Sequence, residues 1–160
     1  MLAVRQYADR PVPDDVVHQI VEAGHLTASS INKQPWHFVV VQQRETLQRL
    51  GQLAQTGPYT ADAALAIVVA IEKESRFGVS DASRAVQDMM LVAWENGVGS
   101  NWVGFGNLDS VAQALGIPDH LQVLAIVPFG YPAQQLGRGK KNRKPLGEVF
   151  SRERYGQPFA

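Results

Sequence analysis

The chain contains no cysteine. It can form no disulfide, offers no thiolate nucleophile and cannot ligate zinc or iron through sulfur, so packing alone must hold the fold. Nor does it carry a run of eighteen or more apolar residues, so no helical membrane span is expected. No charged start leads into an apolar stretch and a small-residue cleavage site, and a cytoplasmic location is the resulting expectation. Neither sign of charge predominates, because Lys plus Arg and Asp plus Glu number 15 each. That balance argues against a general binder of nucleic acid or acidic membranes. Nucleotide loops are missing too. Gly97, Gly99, Gly104 and Gly106 do not form G-x-G-x-x-G, and no lysine follows them as a phosphate-cradling loop requires. Ser100 is followed two residues later by Trp102 rather than glycine, which excludes a nucleophile elbow.

What remains is a chain of 160 residues, 45% hydrophobic, enough for one well-formed core. Pro11-Val12-Pro13 opens a helix expected over about 14–27. Asp14 and Asp15 suit its positive end, and Val16, Val17, Ile20 and Val21 form the apolar stripe. A polar loop, Ser29 to Pro35, leads into a β-branched strand over 36–42. A short helix follows over 44–54, broken by Gly57-Pro58. The continuously apolar stretch 63–71 predicts a strand buried on both faces. The clearest helix spans 81–96, with Ala82, Ala85, Val86, Met89, Met90 and Ala93 at three- and four-residue spacing and Gly97 as the stop. A glycine-rich turn and short strand occupy 97–106, a helix 108–115 and a buried strand 121–129. With no repeat and no internal linker, residues 1–160 read as one α+β domain. From about residue 133 an extended, unpatterned tail either wraps a neighbour or frays.

Two patterns invite functional readings. His18, Glu22 and His25 share one side of the first helix, but a solvated face opposite the valines accounts for them, since catalytic zinc needs three convergent ligands and an open position. No metal site is therefore expected. Seven basic residues (Arg138, Lys140, Lys141, Arg143, Lys144, Arg152, Arg154) face only Glu148 and Glu153 between positions 138 and 154. No aromatic platform is interleaved within Lys140–Lys144, so nucleic-acid binding is disfavoured. A compact anion site remains open.

Four segments, in order, resemble the FMN-dependent nitroreductase family. Val4-Arg5-Gln6-Tyr7 followed by Pro11-Val12-Pro13 is similar to its opening. Ala28-Ser29-Ser30-Ile31-Asn32-Lys33-Gln34-Pro35-Trp36 resembles its signature loop, P-S-x-x-N-x-Q-P-W. The helix ending at Asn96 and the following GVGSNWVG resemble its central helix and turn. Gly116-Ile117-Pro118, Pro128-Phe129-Gly130-Tyr131-Pro132 and Lys141-Asn142-Arg143-Lys144-Pro145-Leu146 are similar to its C-terminal third. The resemblance covers nearly the whole chain, and its second segment is the most specific.

The resemblance implies an α+β, nitroreductase-like fold, a central mostly antiparallel sheet flanked by helices, in a homodimer with FMN at the subunit interface. It implies an NAD(P)H-dependent flavin oxidoreductase whose small-molecule acceptor is a nitroaromatic, a quinone or similar. By the same resemblance Arg5 lies beside the flavin's pyrimidine edge. Ser29, Ser30, Asn32 and Gln34 reach the flavin from the partner, and Trp102, Val103 and Gly104 pass close to the ring. Lys141 and Arg143 grip the phosphate as a K-x-R pair, a task suited to charge-assisted contacts. Flavin N5 would carry the hydride in a ping-pong sequence, with no catalytic nucleophile or general acid from the protein. Met1, Leu2 and Ala3 stand where relatives carry an Arg-rich stretch and a serine. That departure implies weaker FMN binding, a start upstream of Met1, or a dimeric binding or scaffold protein of the same fold that has lost or exchanged its flavin.

Overall fold

Every residue of one eight-residue strand except its last is shut away from solvent, and the rest of the chain is arranged to cover it. In the computed structural model, which describes residues 1–106, 108–137 and 141–159, this strand is β2 (Leu65–Glu72). It lies between β1 (Trp36–Val41) and β4 (Leu121–Gly130), and the two-residue β3 (Gly99–Ser100) completes the order β1-β2-β4-β3. All three pairings are antiparallel. An unbroken apolar run more often marks a parallel sheet. Here it arises because helices cover both faces of an antiparallel one.

Side chains of β2 alternate between the two coverings. Leu65, Ile67, Val69 and Ile71, with Val127 and Phe129 of β4, pack under α1 (Asp14–Leu26) and α3 (Gly78–Glu95). Ala66 and Val68, with Val41 and Ile126, pack under α2 (Arg44–Leu53) and α4 (Asp109–Ala114). The α1 stripe of Val16, Val17 and Ile20 is buried as its spacing predicts, and acidic Asp14 and Asp15 occupy the first turn. On α3 the residues at every fourth position, Asp81, Ala85, Met89 and Ala93, are all buried.

The expected elements occur in the expected order, with small differences at their ends. α3 begins at Gly78 rather than Asp81, because Phe77 and Ser75 start the turn, and the glycine-rich segment yields only β3. Three elements had no periodic signal: 3-10 turns at Ser30–Asn32 and Pro58–Asp62 and, in the basic tail, the four-residue α5 (Leu146–Val149). The tail is exposed wherever it is described from Ala133 onward. Among the described residues no helix is long and apolar enough to cross a membrane.

The N-terminal segment is held as an extra strand. Ala3 bridges Ser100, Tyr7 bridges Pro132, the Val4 amide donates to the Ser100 carbonyl at 3.0 Å, and the Ala133 amide donates to the Gln6 carbonyl at 3.0 Å. The approach at Gly99 is close enough that a Cβ there would lie 2.3 Å from Val4 Cγ2. Because Val4 is β-branched and buried, it has no room to yield. Gly99→Ala is therefore expected to cost about 1–3 kcal/mol of overpacking, read as a fall in thermal midpoint, with faster amide exchange at residues 3–8. An unchanged midpoint would contradict this packing.

Candidate functional site

Arg5 sits where backbone pairing leaves little freedom. Its neighbour Val4 is bonded to Ser100 on one side and Gln6 to Ala133 on the other. The Tyr7 hydroxyl then donates to the carbonyls of Val4 (2.9 Å) and Pro128 (3.3 Å). Burial, with the nearby Tyr59, pushes the Tyr7 pKa far above its ordinary value, so this anchor stays protonated. Arg5 itself is exposed and lies between two depressions. One, of about 340 Å³, is shared with Pro132, Gln135 and Leu136. The other, of about 430 Å³, is shared with Tyr7, Arg44 and Gln48. Arg44 is committed to the Ala61 and Ala63 carbonyls at 2.8 and 3.1 Å. Among the described residues Arg84–Asp81 is the one ion pair, so the Arg5 guanidinium has no carboxylate partner there.

Trp102, Val103 and Gly104 continue from the same strand. Val103 is buried, and its amide and carbonyl are both engaged by Ile126, at 2.9 and 2.8 Å. Both bonds tie it into the framework of the sheet. Trp102 is half-buried against the α1/α3 core. A Cβ on Gly104 would lie 2.4 Å from Trp102 Nε1, so the missing side chain makes room for the indole.

The Ser29–Gln34 loop is at another corner. It precedes β1, whose first residue pairs with Ile71, and the Pro35 carbonyl accepts the Glu72 amide. Three of its residues have positive φ: Ile31 (46°), Asn32 (55°) and Gln34 (50°). Left-handed backbone costs non-glycine residues about 1–2 kcal/mol each, less for asparagine, and Ile31 is also 81% exposed. Such a turn persists only when its surroundings hold it. Ser29 Oγ accepts the Gln34 amide at 2.9 Å, and Gln34 Nε2 donates to the Asn32 carbonyl and Oδ1 at 3.2 Å each. The Ser30 amide donates to Asp81 Oδ2 at 2.9 Å.

Asp81 is the residue that pattern reading passes over. Its carboxylate is 1% exposed and also pairs with Arg84. Burial pulls its pKa upward, but the Ser30 amide, Arg84 and Ser80 together outweigh that and hold it below the ordinary carboxylate value. The available signal is an acid standing on the same every-fourth-residue stripe as Ala85, Met89 and Ala93.

The structure thus groups Arg5 with the 102–104 segment and groups Ser29, Ser30, Asn32 and Gln34 with one another. Within one chain it does not bring the two groups together. Arg5 lies level with the Ser100–Phe129–Leu65 row, the loop level with Trp36–Ile71. The six steps from Leu65 to Ile71 amount to about 20 Å along the strands, with about 14 Å more across three strand spacings. Lys141 and Arg143 are exposed. Arg138 and Lys140 of the same basic stretch lie outside the described residues.

The donor set suits a flavin mononucleotide: an unpaired guanidinium for the electron-rich edge, short hydroxyl and amide groups on a rigid loop, and a Lys/Arg pair for a phosphate. The model of the Nitroreductase family matches residues 3–74 and 55–131. A Methanothermobacter thermautotrophicus protein, provisionally named NADH dehydrogenase/NAD(P)H nitroreductase, is 33% identical over 143 residues, covering 84% of this chain and 75% of its own. An FMN reductase [NAD(P)H] of Bacillus subtilis is 27% identical, over 96% of this chain and 70% of its own. Among solved structures, an FMN-dependent nitroreductase from Clostridium difficile superimposes with a TM-score of 0.88 at 26% identity, over 96% of this chain and 95% of its own.

A carboxyl held below its unfolded pKa adds stability that is complete above the unfolded value and is lost as pH falls through the folded one. Asp81→Asn is therefore expected to cost about 1–3 kcal/mol at neutral pH. It should also flatten the acid limb of a urea-midpoint profile taken down to about pH 3. Parallel acid limbs for the two proteins would contradict the assignment.

Proposed function

The chain belongs to the nitroreductase family and is an NAD(P)H-dependent oxidoreductase, and from that premise we propose that it acts as a homodimer binding FMN in two sites, each built from both subunits. The observation that carries this reading is the separation of the donor groups. Arg5 and the Ser29–Gln34 loop stand at diagonally opposite corners of one sheet, too far apart to flank one flavin ring. A two-fold axis places the Arg5 corner of one subunit against the loop of the other, and an isologous contact does so twice.

In that site Arg5 lies beside the pyrimidine edge, where a fixed cation offsets the negative charge gained on reduction and raises the affinity for electrons. Ser29, Ser30, Asn32 and Gln34 orient the ring from the other subunit. Trp102 and Gly104 form the wall that keeps water from its inner side, and Val103 ties that wall to β4. Lys141 and Arg143 hold the phosphate from the tail, which then wraps the neighbouring subunit. FMN held there would supply the redox chemistry, hydride transfer at N5 linking NAD(P)H to a nitroaromatic, quinone or similar acceptor. Donor and acceptor would use the same site in turn, as in a ping-pong enzyme. The protein's contribution is orientation, exclusion of water and the fixed charge of Arg5.

The visible spectrum of the purified protein, taken after FMN is added and the excess removed, tests this directly. Flavin bands should stay with the protein and bleach anaerobically with NADPH or NADH. Arg5→Gln should bind FMN about tenfold more weakly, as loss of a charge-assisted hydrogen bond implies, and should lower its midpoint potential. A colourless protein that retains no added FMN would overturn the reading and leave the flavin-free scaffold.

A further inference from the structure

The signature loop has a second partner that its own residues do not supply. α3 grips the segment at two points about two helical turns apart. Asp88 Oδ2 accepts the Thr27 hydroxyl at 2.7 Å, and Asp81 Oδ2 accepts the Ser30 amide at 2.9 Å. Residues seven apart on a helix share a face, so the two carboxylates form one rail along which the chain passes from α1 into the loop. The grips differ in kind. Asp88 is exposed and holds a hydroxyl, whereas Asp81 is buried and holds a backbone amide one residue before the left-handed turn at Ile31. Ser29 enters extended, at φ −121° and ψ 161°. The turn's side-chain hydrogen bonds link Ser29, Asn32 and Gln34 to one another, and its far end meets β1 where the Gln34 carbonyl accepts the Trp36 amide at 2.8 Å.

We propose that Asp81 is a positioning residue for the cofactor: by accepting the Ser30 amide, its buried carboxylate ties the strained Ile31–Gln34 turn to α3 and so presents Ser29, Asn32 and Gln34 to the flavin. Arg84 keeps that carboxylate in place from the solvent side, with its own side chain half exposed. The second acidic contact, Thr27–Asp88, guides the chain toward the loop but does not touch the turn. The assignment rests on the flavin reading above and adds a residue that itself makes no contact with the ring.

The test uses the purified dimer and reads FMN affinity by fluorescence quenching, with hydrogen exchange at residues 28–35 in the flavin-free protein. Asp81→Ala should weaken FMN binding about 10- to 100-fold, the range for losing a hydrogen bond to a charged group. Asp81→Asn, whose amide oxygen still accepts, should recover part of that loss. Exchange should rise within the loop while the other α3 amides stay protected. Because altering a buried acid can impair folding, a second pair of variants isolates the same bond from the loop side. Ser30→Pro removes the donated N–H and leaves the buried ion pair intact, and the extended Ser29 tolerates a following proline. Ser30→Ala removes only the hydroxyl and sets the baseline. Ser30→Pro should bind FMN at least about tenfold more weakly than Ser30→Ala. Equal affinities for that pair, with wild type binding FMN normally, would overturn the positioning role alone. A wild type that binds no FMN would overturn the flavin reading and this assignment together.

Discussion

The burial of β2 is the constraint from which the rest of the molecule follows. A strand with apolar side chains on both faces needs cover on both faces, and the sequence provides two pairs of helices to supply it. Its backbone must be paired on both edges as well, because an unmet amide or carbonyl in that interior costs as much as a lost hydrogen bond. β1 and β4 meet that need. The length of β2 then sets the distance between the sheet's two ends, and each end carries one of the two groups of residues assigned to the proposed flavin site. The proposed dimer would follow from a core that cannot be shortened.

The two groups of residues assigned to the proposed site are held by opposite means. At the Arg5 end the N-terminal segment is held by backbone pairing on both sides and by the buried Tyr7 hydroxyl. No unfavourable backbone geometry is needed for Arg5 to stay between its two depressions. At the loop end the chain takes a costly shape, three residues at positive φ, and is held there by its own side chains and by Asp81. Rigid placement is what cofactor chemistry asks of a protein, and this chain obtains it once by pairing and once by anchored strain.

Much of the fold could be read from spacing. The unbroken apolar stretch ending at Ile71 and the stripe from Ala82 to Ala93 declare a doubly covered strand and its helix, because burial demands those patterns. The sheet order could not be read that way, since β-branched runs 36–42, 63–71 and 121–129 carry no label of which neighbour each prefers. Ile31 gave no warning of its left-handed backbone, a conformation unfavourable for a β-branched residue and imposed here by its surroundings. The site's members came from family resemblance. Spacing alone could have flagged Asp81, the one acid on a buried stripe, and it did not, because an acid in a helix's first turn already has an ordinary explanation in the helix dipole.

If each site takes Arg5 from one subunit and the loop from the other, a mixed dimer will reveal it. One chain carries Arg5→Ala, the other Ser29→Ala with Asn32→Ala, and the heterodimer is isolated by two different tags. A shared site places all the lesions in one pocket and leaves the other intact. The heterodimer should then bind one FMN per dimer with wild-type affinity, while both parent homodimers bind weakly at every site. A heterodimer that binds FMN no better than its parents would contradict the account, because every pocket would then draw Arg5 and the loop from a single chain.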